Sequence, residues 1–431
     1  MKFALATYGS RGDVEPSVAI GRELLRRGHD VRMAVPPDLV GFAESVGLAA
    51  VPLGPQVQPI LDAHRTFWTD FFRKFWKIRH LIRLRHEIAD PVIKRWDQIC
   101  DTLKSLAEGV DVLVSGLNFE QPAANVAEYH GIPLATVHLF PVRASGQFLS
   151  FLPAPVGRSV MTVYESVAWR AARNLEDAQR SALGQPKATR PLPRRIAERG
   201  WLDIQAYDEV CFPDLAAEWA KWNGRRAFVG ALTLDLPADA DEDVASWIAA
   251  GTPPIFFGFG STPVKSPPEA IAMISAACAQ LGERALVCAA GTDFRGCALP
   301  EGEPEHVKVV ESMNYAALFP ACRAVVHHGG TGTTAAGLRA GVPSLILSTD
   351  IDQTIWGARV KRLKVGTARR FSRTTEKSLV TDLREILAPE FVKRASEFAG
   401  RMTTSAESAC AAADLLENMA HPGFCSPALP D

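Results

Sequence analysis

The sequence predicts an α/β protein built from two doubly wound domains in tandem. Three observations carry this. Short apolar strand patterns alternate with helical patterns through both halves, a glycine turn follows the first strand of each half, and 431 residues suffice for two cores of ordinary size. With 47% hydrophobic and 22% charged residues the chain can bury such cores. A formal net charge of −1 argues against a dedicated nucleic-acid binder. The eight cysteines (100, 211, 278, 288, 297, 322, 410 and 425) show no CxxC pair and no metal-finger spacing, which fits a reduced, cytoplasmic setting. The run Phe3–Thr7 is too short, and too soon followed by Gly9-Ser-Arg-Gly-Asp13, to be a signal peptide. No uninterrupted apolar run approaches the ~20 residues of a membrane span.

In the first half, strands are expected at 2–8, 30–35, 49–53, 111–115 and 134–140, and helices at 14–29, 38–46 and 123–130. Two helical insertions, 59–106 and 157–183, interrupt this series. The pattern weakens over 203–243, which places a linker near 213–226. The second half resumes with strands at 254–259, 284–290, 307–310, 324–326 and 344–348 and helices at 268–281 and 356–363. The expected domains are therefore 1–215 and 216–400, with a closing helix and loose tail over 401–431. Ligands of open parallel sheets bind at the strands' carboxyl ends, so a cleft faced by both sheets is the expected active site.

The stretch Ala324-Val-Val-His-His-Gly-Gly-Thr-Gly-Thr-Thr334 reads as a buried strand, a glycine turn and a helix start. The first N–H groups of a helix are unpaired and its dipole is positive there, so a diphosphate fits this turn. His327 or His328 would add a hydrogen bond or charge to it. The plain alternative is a tight turn with core histidines. Gly258-Phe-Gly-Ser-Thr262 repeats the arrangement on the first strand of the second half, with Ser261 and Thr262 as phosphate donors. Asp352 and Gln353 sit where they can bond adjacent sugar hydroxyls, with a helix cap at Asp352 as the alternative. Asp350 and Asp352 also have the DxD spacing of a Mg²⁺ or Mn²⁺ site, and no metal is expected here because the helix start already neutralises a diphosphate.

In the first half, Gly9-Ser-Arg-Gly-Asp-Val-Glu-Pro16 joins the first strand to the first helix. Asp13 is either a helix cap or, facing the cleft, a base that takes a proton from an acceptor hydroxyl. Arg11 either steers an anion or is solvated. Ser10, Arg11, Gly12, His327 and Met313 complete the cleft candidates. The segment 64–85 carries six aromatics in ten residues and seven basic residues against Asp70. It reads as core, as an acceptor slot lined by Trp68, Phe72 and Trp76, or as a basic amphipathic contact with an anionic membrane surface.

Taken together, the motifs Ala6–Pro16 and Val326–Thr334 resemble the bacterial branch of the family 1 glycosyltransferases with the GT-B fold, two Rossmann-like domains facing across a cleft. The similarity is greatest to glycopeptide-antibiotic and mycobacterial glycopeptidolipid enzymes, with sterol glucosyltransferases further off. The resemblance implies that Asp13 is the general base and that Ser261, His328, Gly330, Gly332 and Thr333 hold the donor diphosphate. It assigns Asp352 and Gln353 to the donor sugar. The acidic partner of the plant-type base matches Gly116 here, so Asp13 would act alone. The plant-type Trp that stacks on the nucleobase and the Glu for the ribose match Val310 and Ala336, which leaves UDP, dTDP and GDP sugars open. The expected activity is metal-independent, inverting hexosyl transfer from a nucleotide sugar to a hydrophobic or lipid-linked acceptor. A cytoplasmic place, with peripheral contact at the inner membrane face, goes with it. The alternatives are a sugar-nucleotide epimerase of the same fold and a non-catalytic nucleotide-sugar-binding partner.

Overall fold

A computed structural model of the chain describes residues 1–63, 67, 78–148, 153–222, 224–260, 266–289 and 306–421. It divides into two compact units: Met1–Ile60, His86–Leu234 and Thr403–Asp431 form the first, and Leu61–Arg85 and Asp235–Met402 the second.

The first unit holds a six-stranded sheet of β1 (Lys2–Ala6), β2 (Asp30–Val35), β3 (Ala49–Pro52), β4 (Val112–Gly116), β5 (Leu134–His138) and β6 (Leu202–Gln205). Its order is β3-β2-β1-β4-β5-β6 and every pairing is parallel. The second unit repeats the plan with β7 (Ile255–Gly258), β8 (Ala285–Cys288), β9 (Val307–Val310), β10 (Ala324–His327), β11 (Ser344–Ser348) and β12 (Gly366–Arg370). The order there is β12-β11-β10-β7-β8-β9, again all parallel. Each sheet thus reverses winding beside its own first strand, between β1 and β4 and between β7 and β10. Such switch points open a crevice at the carboxyl ends. Their central strands are apolar on both faces because helices cover both; Phe3, Ala4, Leu5, Phe256 and Phe257 are fully buried.

The two strands that pattern reading misses, β6 and β12, are the last and outermost of their sheets. Leu202-Asp-Ile-Gln205 carries two buried polar side chains, and Gly366-Thr-Ala-Arg-Arg370 begins with glycine and ends in two arginines. Neither has the apolar run of a central strand. The expected border at 215/216 falls inside the first unit for a related reason. The N–H groups of Asp203 and Gln205 donate to the carbonyls of Arg225 and Ala227 at 2.8 and 2.7 Å, and Val229 N–H returns to the Gln205 carbonyl at 3.1 Å. Residues 225–229 therefore extend the edge of β6, and the chain leaves the unit after Leu234.

The segment 401–431 is likewise no separate piece. The helix Ser405–Ala420 packs on the helix Arg11–Arg26. Arg27 donates to Asp414 and Glu417 at 2.6 and 2.7 Å, and the His29 ring meets Glu417 at 2.6 Å. The insertions expected in the first half are helices at Ile78–Ile93, Trp96–Leu106 and, longest, Ala154–Ala182. Among the described residues no helix is long and apolar enough to cross a membrane.

Candidate active site

At the first switch point β1 ends at Ala6, and Gly9 turns the chain at φ +142° into the helix Arg11–Arg26. Asp13 stands in the first turn of that helix. Its Oδ2 accepts from the Ser10 N–H at 2.7 Å and from the Ser10 hydroxyl at 2.8 Å. The carboxylate lies so close over Gly9 that a Cβ there would come within 2.4 Å of Oδ2. Glycine is thus required twice at position 9, for its backbone angle and for the space above it.

Asp13 lines a pocket with Tyr8 and Ser17 from its own side of the switch, Gly116, Leu117 and Asn118 from the end of β4, and Val137, Leu139 and Phe140 from the end of β5. The wall is largely apolar. Tyr8 packs against Phe119 with ring centroids 4.9 Å apart. Burial pushes the Tyr8 phenol well up, so it stays protonated and donates to the Pro55 carbonyl at 3.1 Å. Gly116 leaves room for Thr7, whose Cγ2 would lie 2.9 Å from a Cβ. Asp13 is the one carboxylate among the described residues lining this pocket.

A charge network that sequence reading does not reveal ties the segments after β4 and β5 to β6. Arg143 donates to Glu120 at 3.0 and 2.9 Å and to Asp203 at 2.8 Å, and His138 Nε2 meets Glu120 at 3.1 Å. Burial alone would raise the Asp203 carboxyl; the Arg143 guanidinium outweighs it and holds the group well below the usual range. Val137 and Leu139, on either side of His138, are pocket wall. Arg11 is turned to other work: it pairs with Glu15 at 3.3 Å and lies 4.5 Å over the Phe42 ring. Gly12 is exposed beside it.

At the second switch point Gly329 (φ +101°) turns the chain after β10, and the helix Thr331–Arg339 begins behind its cap residue Gly330. The His328 ring fills the space between this turn and the one after β7. A Cβ on Gly260 would meet its Cε1 at 2.6 Å, and a Cβ on Gly330 its Nε2 at 2.6 Å. His327, fully buried, accepts from the Gly329 N–H at 3.1 Å through Nδ1. Burial pushes both imidazoles down, His327 with help from His328 to about 3 and His328 to about 4 against the opposing hydrogen bond with the Gly258 backbone. The expectation that a histidine brings charge to this turn is therefore corrected: both are neutral, and His328 offers hydrogen bonding only.

The three threonines divide. Thr334 donates to the Gly330 carbonyl at 2.8 Å and Thr331 accepts from Trp356 Nε1 at 2.9 Å, while Thr333 has no partner among the described residues. Ser261 and Thr262 lie outside the described residues, as do Trp68, Phe72 and Trp76.

The helix expected from Trp356 begins earlier, at Ile351, so Asp352 and Gln353 stand in its first turn. The cap is Asp350, not Asp352: its carboxylate accepts from the Ile351 N–H at 2.6 Å. Gln353 Oε1 accepts from the Thr349 N–H and hydroxyl (2.8 and 2.9 Å) and from the Asp350 N–H (3.2 Å). Met313 belongs to the apolar core with Val310, Leu318 and Phe319, so it is packing. The described residues contain no His, Cys, Asp or Glu group suited to a metal ion.

Two family profiles match the chain: "Glycosyltransferase family 28 N-terminal domain" over residues 3–93 and "Erythromycin biosynthesis protein CIII-like, C-terminal domain" over residues 295–418. Among curated proteins, the Mycobacterium tuberculosis "Uncharacterized glycosyltransferase Rv1524" is 54% identical over 97% of this chain and 99% of its own. "Glycosyltransferase GtfE" of Amycolatopsis orientalis is 31% identical over the full length of both. The chain belongs to the bacterial family 1 GT-B glycosyltransferases. The solved glycosyltransferase of kitacinnamycin shares the fold with this glycosyltransferase at a TM-score of 0.69 and 19% identity, covering 97% of this chain and 98% of the other. The calicheamicin glycosyltransferase CalG4 does so at 0.67 and 17%, with the same coverage. The residues of the candidate site that sequence reading passes over are pocket walls: Tyr8, Leu117, Asn118, Leu139 and Phe140. Their signal was available, since all follow the ends of β1, β4 and β5, the strands around the first switch.

Proposed function

We propose that this glycosyltransferase moves a hexose or deoxyhexose from a nucleoside diphosphate sugar to a hydroxyl of an apolar natural product, glycopeptide, glycopeptidolipid or sterol-like acceptor, with inversion and without a metal. The observation that carries this reading is Asp13, a carboxylate at a switch point in a pocket of otherwise apolar and neutral side chains. Asp13 takes the acceptor O–H proton as that oxygen bonds to the anomeric carbon. The bond from that carbon to the diphosphate oxygen breaks, and its electron pair leaves with the nucleoside diphosphate. One displacement inverts the centre.

The leaving group is assigned to the helix start at Gly330, Gly332 and Thr333, whose free N–H groups and dipole favour an anion. His328 would add a hydrogen bond, Asp352 would accept from the donor sugar and the Gln353 amide would donate to it. No metal is required of this arrangement, and the Asp350 carboxylate of the DxD pair is occupied as a cap. The proposed setting is cytoplasmic, with peripheral membrane contact for a lipid-linked acceptor. VinC and SsfS6, two structural relatives, were solved with dTDP and thymidine diphosphate, which supports testing dTDP beside UDP and GDP as donor nucleotides. The test is Asp13→Asn. Turnover is expected to fall by roughly two to four orders of magnitude with nucleoside diphosphate affinity near wild type. Activity within a few-fold of wild type would reduce Asp13 to a helix cap.

A further inference from the structure

The first half of the helix Ala154–Ala182 carries a stripe of exposed apolar side chains. Val156, Val160, Val163, Tyr164 and Val167 recur at helical spacing, so they share one face about 100° wide and about 16 Å long. They are 46 to 71% exposed. The other large apolar side chains exposed among the described residues, Met1, Val51, Ile93, Tyr129, Ile351 and Val392, lie singly along the chain. We propose that this stripe is a docking surface for an anionic lipid bilayer, on which the helix lies flat with Tyr164 and the valines at the headgroup boundary. The proposal rests on the membrane setting of the proposed function and is independent of the base assignment.

Polar satisfaction, charge and shape each favour this occupant. The hydroxyls beside the stripe are satisfied within the helix: Ser159, Thr162 and Ser166 donate to the carbonyls of Pro155, Arg158 and Thr162 at 3.0, 2.9 and 3.0 Å. A hydroxyl bonded back in this way loses no partner when water leaves. Beyond the stripe the helix is basic. Arg170 is exposed with no ion pair among the described residues, and Arg173 lies 3.8 Å from Asp177. The acids of the helix are engaged elsewhere: Glu165 accepts from the Ala144 N–H at 2.8 Å, Glu176 is buried against Arg195, and Asp177 meets Lys187 at 3.2 Å. A second copy of this face would set arginines against a stripe that has no acid to meet them, whereas lipid phosphates supply that charge. The stripe is also a ridge, since Val163 and Tyr164 are 62 and 71% exposed, and a bound peptide would need a groove or a strand edge. A tyrosine suits the boundary, with its ring among acyl carbons and its hydroxyl wet.

The test uses the full chain and vesicles of phosphatidylcholine with and without about one-third phosphatidylglycerol, read by co-sedimentation at low salt. Wild type is expected to bind the anionic vesicles. Val163→Gln combined with Tyr164→Gln is expected to bind them about tenfold more weakly or less, with the melting temperature within a degree or two and dTDP and UDP affinities unchanged, because both sites are exposed. Arg170→Gln and Arg173→Gln should each weaken binding to the anionic vesicles by about fivefold. Wild-type binding by the double glutamine variant would overturn the proposal. Loss of binding only on charge reversal at Arg73, Lys74 and Lys77 would overturn it too and move the contact to the segment 64–85. A wild type that sediments with neither vesicle would overturn it together with the membrane setting, and the transfer test at Asp13 would stand unaffected. A wild-type dimer in vesicle-free solution that the double glutamine variant turns into a monomer would overturn it in favour of a second copy.

Discussion

The two switch points of this glycosyltransferase have the same topology and opposite chemistry. At each, the sheet reverses direction beside its first strand, a positive-φ glycine turns the chain, and a helix begins. At the first, a side chain crowds the turn glycine and brings a negative charge: Asp13 over Gly9, among apolar walls. At the second, a neutral imidazole crowds the turn glycines, His328 against Gly260 and Gly330, and the positive character comes from the backbone of the helix start. On the proposed reading, one scaffold yields a site that takes a proton and a site that holds an anion. What differs is which side chain the glycines make room for.

The largest expected effect comes from removing that room at the first site. Gly9→Ala places a Cβ against Asp13 Oδ2 and forces an L-residue to a strained angle. Turnover should fall about a hundredfold or more, with nucleotide affinity unchanged, read by steady-state kinetics and calorimetry on one preparation. If nucleotide affinity falls equally, the two sites are not chemically separate. The mirror experiment is Gly330→Ala, which drives a Cβ onto His328. Here affinity for dTDP or UDP should drop about tenfold, and Thr333→Ala should weaken it less. Unchanged affinity in both variants would remove the diphosphate from this turn.

A smaller effect follows from the buried histidines. Both have folded values far below the ordinary 6.5, so below about pH 6.5 the unfolded chain binds protons that the folded chain refuses. Stability of the second unit should therefore decline as pH falls from 6.5 towards about 4, by about 1 kcal/mol per histidine per pH unit. Between pH 6.5 and 5 ordinary carboxylates stay ionised, Glu283, raised by burial, works against the trend, and a flat denaturation midpoint in wild type and in His327→Gln alike would mean that water reaches the imidazoles. The smallest effect is none: EDTA should leave transfer intact. A strict Mg²⁺ or Mn²⁺ requirement would return Asp352 to a metal-binding role.

Most of the architecture was legible because parallel strands covered on both faces are short apolar runs, and ten of the twelve are visible as such. β6 and β12 were not, since an edge strand can carry Asp203 and Gln205, or Arg369 and Arg370, without breaking its ladder. The turn glycines and Asp13 could be read from the order strand, glycine, helix. That Asp350 rather than Asp352 caps its helix could not, because DxD offers two equivalent acids and only backbone geometry chooses. Nor could the neutrality of the histidines be read, since it comes from complete burial at a strand end. The pocket walls converge from three strand ends far apart in sequence, and the Arg143, Glu120 and Asp203 network likewise.

The central claim, that proton removal and anion binding belong to separate switch points, is tested most directly by titrating Asp13→Asn and His328→Ala with dTDP, UDP and GDP and measuring transfer with the same samples. The account predicts a crossed pattern: Asp13→Asn binds its nucleotide like wild type and scarcely transfers, whereas His328→Ala binds more weakly and, once saturated, keeps most of its turnover. Loss of nucleotide binding in Asp13→Asn, or wild-type binding in His328→Ala, would contradict it.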